Sequence, residues 1–194
     1  MDNNSRSERT RSLVIDAALA IIARDGPARL TLDAIAREAG ISKGALTHQF
    51  NNKTAVIKAL LENQVDYFHK FSQDYLAAHA GTSSEPNLAA RIAVSREAIA
   101  QEKSAEVTCA ILGVIGEAPE LMSVFRDIDV KEREAIRAEA TDPDMAMLRW
   151  FAAQGMHLSS LFGIGRLSNE DRDRLFARLA DSSQWSSLPR NDQS

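Results

Sequence analysis

Apolar residues recur at helical spacing along nearly the whole of this 194-residue chain, and no alternating Val/Ile/Thr-rich run bounded by turns reads as a strand. The pattern predicts an all-α fold. Val14, Ala18, Ile21 and Ile22 mark a first helix over 9–24, ended by Asp25-Gly26-Pro27. Two short helices follow: Thr31 caps one over 32–39, Gly40 closes it, and Ser42 caps the next, which ends near Phe50. Beyond Asn51-Asn52, a long helix over 54–79 carries Ile57, Leu60, Leu61, Phe68, Phe71 and Tyr75 on one stripe, broken by Gln64. After the loop 81–86, Leu88, Ile92, Ser95 and Ile99 mark another amphipathic helix, and shorter ones are expected over 105–115 and 119–138. Asp142-Pro143 is an N-cap followed by proline at the first helical position, opening a helix that reaches Gly163. Ser168 caps a last helix, with Leu175, Phe176 and Leu179 on its apolar side, and the polar segment 186–194 is expected to be a disordered tail.

Composition narrows the functional classes. With 44% hydrophobic and 26% charged residues, the chain has the make-up of a folded globular protein. No apolar run approaches the roughly 18 to 20 residues that span a bilayer, and the start is polar, so no membrane association and a cytoplasmic location are expected. Cys109 is the one cysteine, set in an apolar stretch, and reads as a core residue. There is no phosphate-binding glycine loop, His-Glu-x-x-His, cysteine pair or Gly-x-Ser-x-Gly elbow, and the four histidines (His48, His69, His79, His157) are scattered, with His69 and His79 ten apart and so not on one helical face as a metal pair. Neither an enzyme, nor a cofactor, nor a metal site is expected. The net charge of −4 conceals an asymmetry: eight Lys/Arg against six Asp/Glu up to Lys53, then fifteen against twenty-one. A slightly cationic head on an acidic body has the sign needed to approach phosphates.

The segment from Leu32 to Leu46 pairs two helices about a turn at Gly40. Ile35, Ala36, Ile41 and Leu46 are placed to pack together, and Ala36 and Ala39 let the axes cross closely. In a helix-turn-helix unit the second helix enters the major groove, which makes 42–48 the reading segment. Lys43 can reach guanine acceptors or a phosphate, Ala45 can meet a thymine methyl, and Gly44 leaves room for close approach. Thr31, Ser42, Thr47, His48 and Lys53 can bond phosphates, helped by free N–H groups at the two helix starts. The same features also suit an ordinary capped helical hairpin.

A denser pattern separates the two readings. Ala17-Ala18, Gly26, Thr31, Ile35-Ala36, Ala39-Gly40-Ile41-Ser42, Gly44, Leu46, Phe50, Lys53 and Leu60 resemble the tetracycline-repressor (TetR) family in identity and spacing over 9–60. The resemblance implies a bacterial repressor, a homodimer that grips double-stranded operator DNA and releases it on binding a small-molecule effector. It implies a DNA-binding domain over 1–55 and a ligand-binding and dimerisation domain over 56–185. Thr47 departs from the family, which usually has tyrosine there. With the modest charge of the head, that departure leaves a small-molecule carrier or sensor without DNA binding as the second reading.

The helix over 142–163 is apolar on more than one side: Leu148, Phe151, Ala152, Gly155, Leu158 and Phe162 on one face, Met147, Trp150, Met156 and Leu161 on others. Such a helix must be covered twice. The covers expected are the domain's own core and a second subunit, joined through this helix and the last one as the family commonly joins. Trp150, Gln154 and His157, spaced i, i+4, i+7, offer an aromatic wall and two hydrogen-bonding groups beside Leu161, with Met122 and Phe125 as further candidates for an effector site. Polar groups at a subunit interface would explain Gln154 and His157 equally well.

Overall fold

In a computed structural model, the described residues are 3–101, 108, 122–165 and 167–185, and they contain eight α-helices and no strand. The helix expected over 105–115, Cys109, and the tail 186–194 lie outside them. The helices are α1 (Asn3–Asp25), α2 (Leu32–Glu38), α3 (Lys43–Gln49), α4 (Lys53–Ala78), α5 (Pro86–Ala100), α6 (Met122–Glu139), α7 (Pro143–Leu161) and α8 (Asn169–Ala180). The chain divides into two compact units: 1–67 with 101–124, and 68–100 with 125–194.

In the first unit, α1 packs on α2 and α3 around Val14, Ala18, Ile21, Leu30, Ile35, Leu46 and Phe50, with Val56, Ile57, Leu60 and Leu61 of α4 also buried. Helix α1 begins six residues before its expected start because contacts distant in sequence support its first turns. Gln49 Nε2 donates to the Ser7 carbonyl at 2.8 Å and to Ser7 Oγ at 2.9 Å. Gly26, at φ 79°, ends it in the left-handed region that favours glycine. Gln64, the break in the α4 stripe, donates to Thr108 Oγ1 at 3.4 Å.

The second unit is built on α5, α7 and α8, which pack pairwise. Its core joins Leu88 and Ile92 of α5, Ile136 of α6, Ala146, Met147, Trp150 and Ala153 of α7, and Phe176 and Leu179 of α8. Helix starts are capped by side chains, as the sequence pattern predicts: Asp142 accepts from Met145 N at 3.1 Å and Ser168 from Asp171 N at 3.0 Å. Glu139, at the end of α6, accepts from the free N–H groups of Asn87 and Leu88 at 3.0 and 2.8 Å and so closes the start of α5.

A buried ion pair lies inside this unit. Arg149 is 3% exposed. Its guanidinium pairs with Glu85 at 2.5 Å and donates through Nε to the Leu179 carbonyl at 2.8 Å, and it lies 6.0 Å from the Trp185 ring centroid. It therefore satisfies a carbonyl that the end of α8 leaves open and ties that end to the residue preceding α5. Removing one partner of a buried pair strands the other charge, at a cost of about 3–5 kcal/mol. Arg149→Ala should lower the unfolding free energy by about that amount in urea titrations at fixed protein concentration, whereas Arg174→Ala, on an exposed pair, should change it by less than about 1 kcal/mol.

Candidate nucleic-acid interface and effector site

The turn between α2 and α3 is set by backbone chemistry. Gly40 adopts φ 66°, which lets Ile41 N donate to the Ala36 carbonyl at 3.0 Å and Gly40 N to the Arg37 carbonyl at 3.3 Å. This double closure of a helix end depends on a left-handed residue. Two side-chain caps complete the unit: Thr31 Oγ1 accepts from Ala34 N and Ser42 Oγ from Ala45 N, both at 3.1 Å. Each hydroxyl accepts in its cap, so its own hydrogen remains free to donate to a phosphate.

Helix α3 has a single fully buried anchor, Leu46 at 0% exposure. Around it Ser42, Lys43, Gly44, Ala45, Thr47 and His48 are all exposed. At Gly44 an added Cβ would meet only Ser42 Oγ, at 3.9 Å, so the fold itself has room for a side chain there.

Three of the sequence-predicted contacts already have partners. Lys43 Nζ lies 2.8 Å from Asp33 Oδ1 in the first turn of α2. The Thr47 hydroxyl donates back to the Lys43 and Gly44 carbonyls at 3.0 and 3.2 Å, a common use of threonine inside a helix. Lys53 is half-buried and donates to the Pro27 carbonyl at 3.3 Å. Asp33 was not among the residues singled out from the sequence. Its signal was a carboxylate next to the cap of α2, facing a lysine across a two-helix turn.

The residues considered for an effector divide between the units. Met122 falls in the first unit, while Phe125, Trp150, Gln154, His157 and Leu161 fall in the second. Trp150 is a core residue at 2% exposure, yet its indole Nε1 is buried with no hydrogen-bond partner among the described residues. One turn along, Gln154 Oε1 accepts from the buried Ser95 hydroxyl at 3.4 Å, joining α7 to α5. His157 is half-buried, and burial lowers its pKa below the ordinary imidazole value, which favours the neutral ring. Phe125 and Leu161 are half-buried. Arg91 pairs with Glu132 at 2.9 Å; burial raises the Glu132 carboxyl pKa despite that partner, and Arg91 Nε is a second buried donor with no partner among the described residues.

Family models match both parts of the chain: the bacterial regulatory proteins of the tetR family over residues 14–60, and the tetracyclin repressor-like C-terminal domain over 85–184. The chain belongs to the TetR family. Both matched families consist of transcriptional regulators and not of enzymes. Among curated relatives, the HTH-type transcriptional regulator SrpR of Pseudomonas putida is 42% identical over 60 residues, 31% of this chain and 28% of SrpR. The matched stretches span between 28% and 45% of the lengths of the curated relatives. Similarity of fold extends over nearly the whole chain. A transcriptional regulator from Rhodococcus sp. Rha1 matches with a TM-score of 0.71 at 18% identity, covering 92% of this chain and 99% of that one. A transcriptional regulator from Saccharomonospora viridis, solved in complex with choline, matches with a TM-score of 0.68 at 15% identity over 89% and 94%. Among the described residues, no helix is long and apolar enough to cross a membrane, and no group of His, Cys, Asp and Glu side chains is arranged to hold a metal ion.

Proposed function

We propose that this TetR-family chain is a ligand-responsive transcriptional repressor: a homodimer that binds a palindromic operator in double-stranded DNA through α3 and releases it when a small apolar or amphipathic molecule enters the second unit. The observation that carries this reading is the outward face of α3, with Lys43, Gly44, Ala45, Thr47 and His48 exposed around the buried Leu46. In this role Lys43 and Ala45 meet base edges. Thr31, Ser42, His48 and Lys53 take phosphates, and Thr47 joins them once its hydroxyl turns from its own helix. Titration at physiological salt should give affinity for a duplex selected from a random pool at least about 10³ times that for random DNA. Equal affinities would remove the repressor reading and leave the carrier.

The dimer is supported by apolar surface left open on a single chain. Leu148, Phe151 and Leu158 of α7 and Phe162, its C-cap, follow at spacings of three, seven and four, which keeps them on one side of the helix, and are each 50–63% exposed. Faces of that kind on soluble proteins mark association surfaces. A twofold pairing through α7 and α8 would place two reading helices on two half-sites. Phe151→Glu should yield monomers in sedimentation and lose cooperative operator binding; a fully dimeric Phe151→Glu protein would move the interface elsewhere.

The effector site is proposed around Trp150, Gln154, His157, Leu161 and Phe125. Two of the buried donors without partners among the described residues, Trp150 Nε1 and Arg91 Nε, favour a ligand bearing a hydrogen-bond acceptor. A neighbour of the same fold was solved in complex with choline, which supports a small organic ligand. Coupling between effector and operator is typically ~1–3 kcal/mol. Gln154→Leu and His157→Ala should therefore raise the effector concentration needed for release several-fold and leave operator affinity unchanged. Mutants that lose dimerisation with an unaltered response per dimer would assign this face to the subunit interface.

A further inference from the structure

Asp33 stands where a carboxylate is unwelcome for a DNA-binding surface. It lies in the first turn of α2, two residues after Thr31, whose hydroxyl and neighbouring N–H groups are proposed to take a phosphate. The partial positive charge of the helix start stabilises the carboxylate in the free protein, but an approaching phosphate would be repelled by it. An aspartate here therefore needs a reason beyond capping, which Thr31 already provides.

The reason is Lys43. The two side chains meet at 2.8 Å across the Gly40 turn, and each remains 65% exposed. A free lysine is a flexible, strongly hydrated point charge that any nearby phosphate can capture. Held by Asp33, Lys43 keeps two N–H donors and loses the net charge that drives capture by the backbone. Guanine presents two acceptors, N7 and O6, on the major-groove edge. We propose that Asp33 is a positioning residue for DNA recognition: by neutralising and orienting Lys43 it directs that lysine to a guanine edge instead of a phosphate, so that it sets specificity at the expense of overall affinity. The inference rests on the operator-binding reading above.

The test uses the full-length protein, a duplex selected with the wild-type protein from a random pool, and a random duplex of equal length. Asp33→Asn removes the charge with almost no change of shape at an exposed site. It should raise affinity for random DNA and steepen its dependence of log affinity on log salt by about one unit, the signature of one added phosphate contact. The ratio of selected to random affinity should fall by about tenfold, within the range that one good base contact supplies. Asp33→Glu should recover most of that ratio. In a Lys43→Ala background, Asp33→Asn should raise both affinities equally and leave the ratio and the slope unchanged. An unaltered ratio in Asp33→Asn, or a loss of ratio that persists without Lys43, would overturn the inference while leaving operator binding intact. Failure of the wild-type protein to enrich any duplex would instead overturn the underlying reading.

Discussion

A helix of seven residues is too short to persist in water by itself, because the cost of nucleating it is spread over too few hydrogen bonds. Everything that α3 presents therefore depends on the burial of Leu46 against α1 and α2. That one side chain decides the orientation of the others. With Leu46 inward, helical geometry turns Gly44, Ala45, Thr47 and His48 away from the core, Lys43 is exposed at the first position of the helix, and Ser42 and Gly40 define where the helix begins. Phe50 and Leu30, both nearly fully buried, close the ends of the same small core. The head is thus a platform whose apolar interior is sufficient to hold two short helices at a fixed crossing, and whose outward chemistry is almost independent of that interior.

Helix α7 poses the opposite problem, an excess of apolar surface. On one side Met147, Trp150 and Ala153 fill the core of the second unit, and Arg149 anchors the same side through Glu85 and the end of α8. On the other side Leu148, Phe151, Leu158 and Phe162 are each at least half exposed among the described residues. The buried guanidinium helps keep the two sides distinct: a rotation of α7 that covered the open stripe would break a fully engaged charge network. A rigid helix with a committed inner face and an open outer face is a reasonable foundation for a symmetric partner.

Much of this was legible in the sequence, and the reasons differ by element. The caps at Thr31, Ser42, Asp142 and Ser168, and the turn at Gly40, are local chemistry, and each is present in the structure. The two faces of α7 followed from helical spacing, though spacing alone could not say which face the chain itself would cover. Features that depend on residues far apart in sequence were not readable. The early start of α1 rests on Ser7 meeting Gln49, and Arg149 finds Glu85 64 positions away. Trp150 looked like one wall of a site because its type and spacing suit one, whereas packing places its ring in the core and leaves only its indole nitrogen without a partner. Asp33 was passed over because an acid in the first turn of a helix is already explained by the helix dipole, and its meeting with Lys43 is a matter of how two helices cross.

In the proposed function, two copies of the α3 face act together on symmetric DNA. Hydroxyl-radical footprinting of the bound selected duplex tests it most directly, since it reports the number, spacing and symmetry of protected sites at once. The account predicts two equivalent protected half-sites related by a twofold axis, with centres about 34–36 Å apart or a multiple of that distance. One isolated protected site, or uniform protection along the duplex, would contradict it.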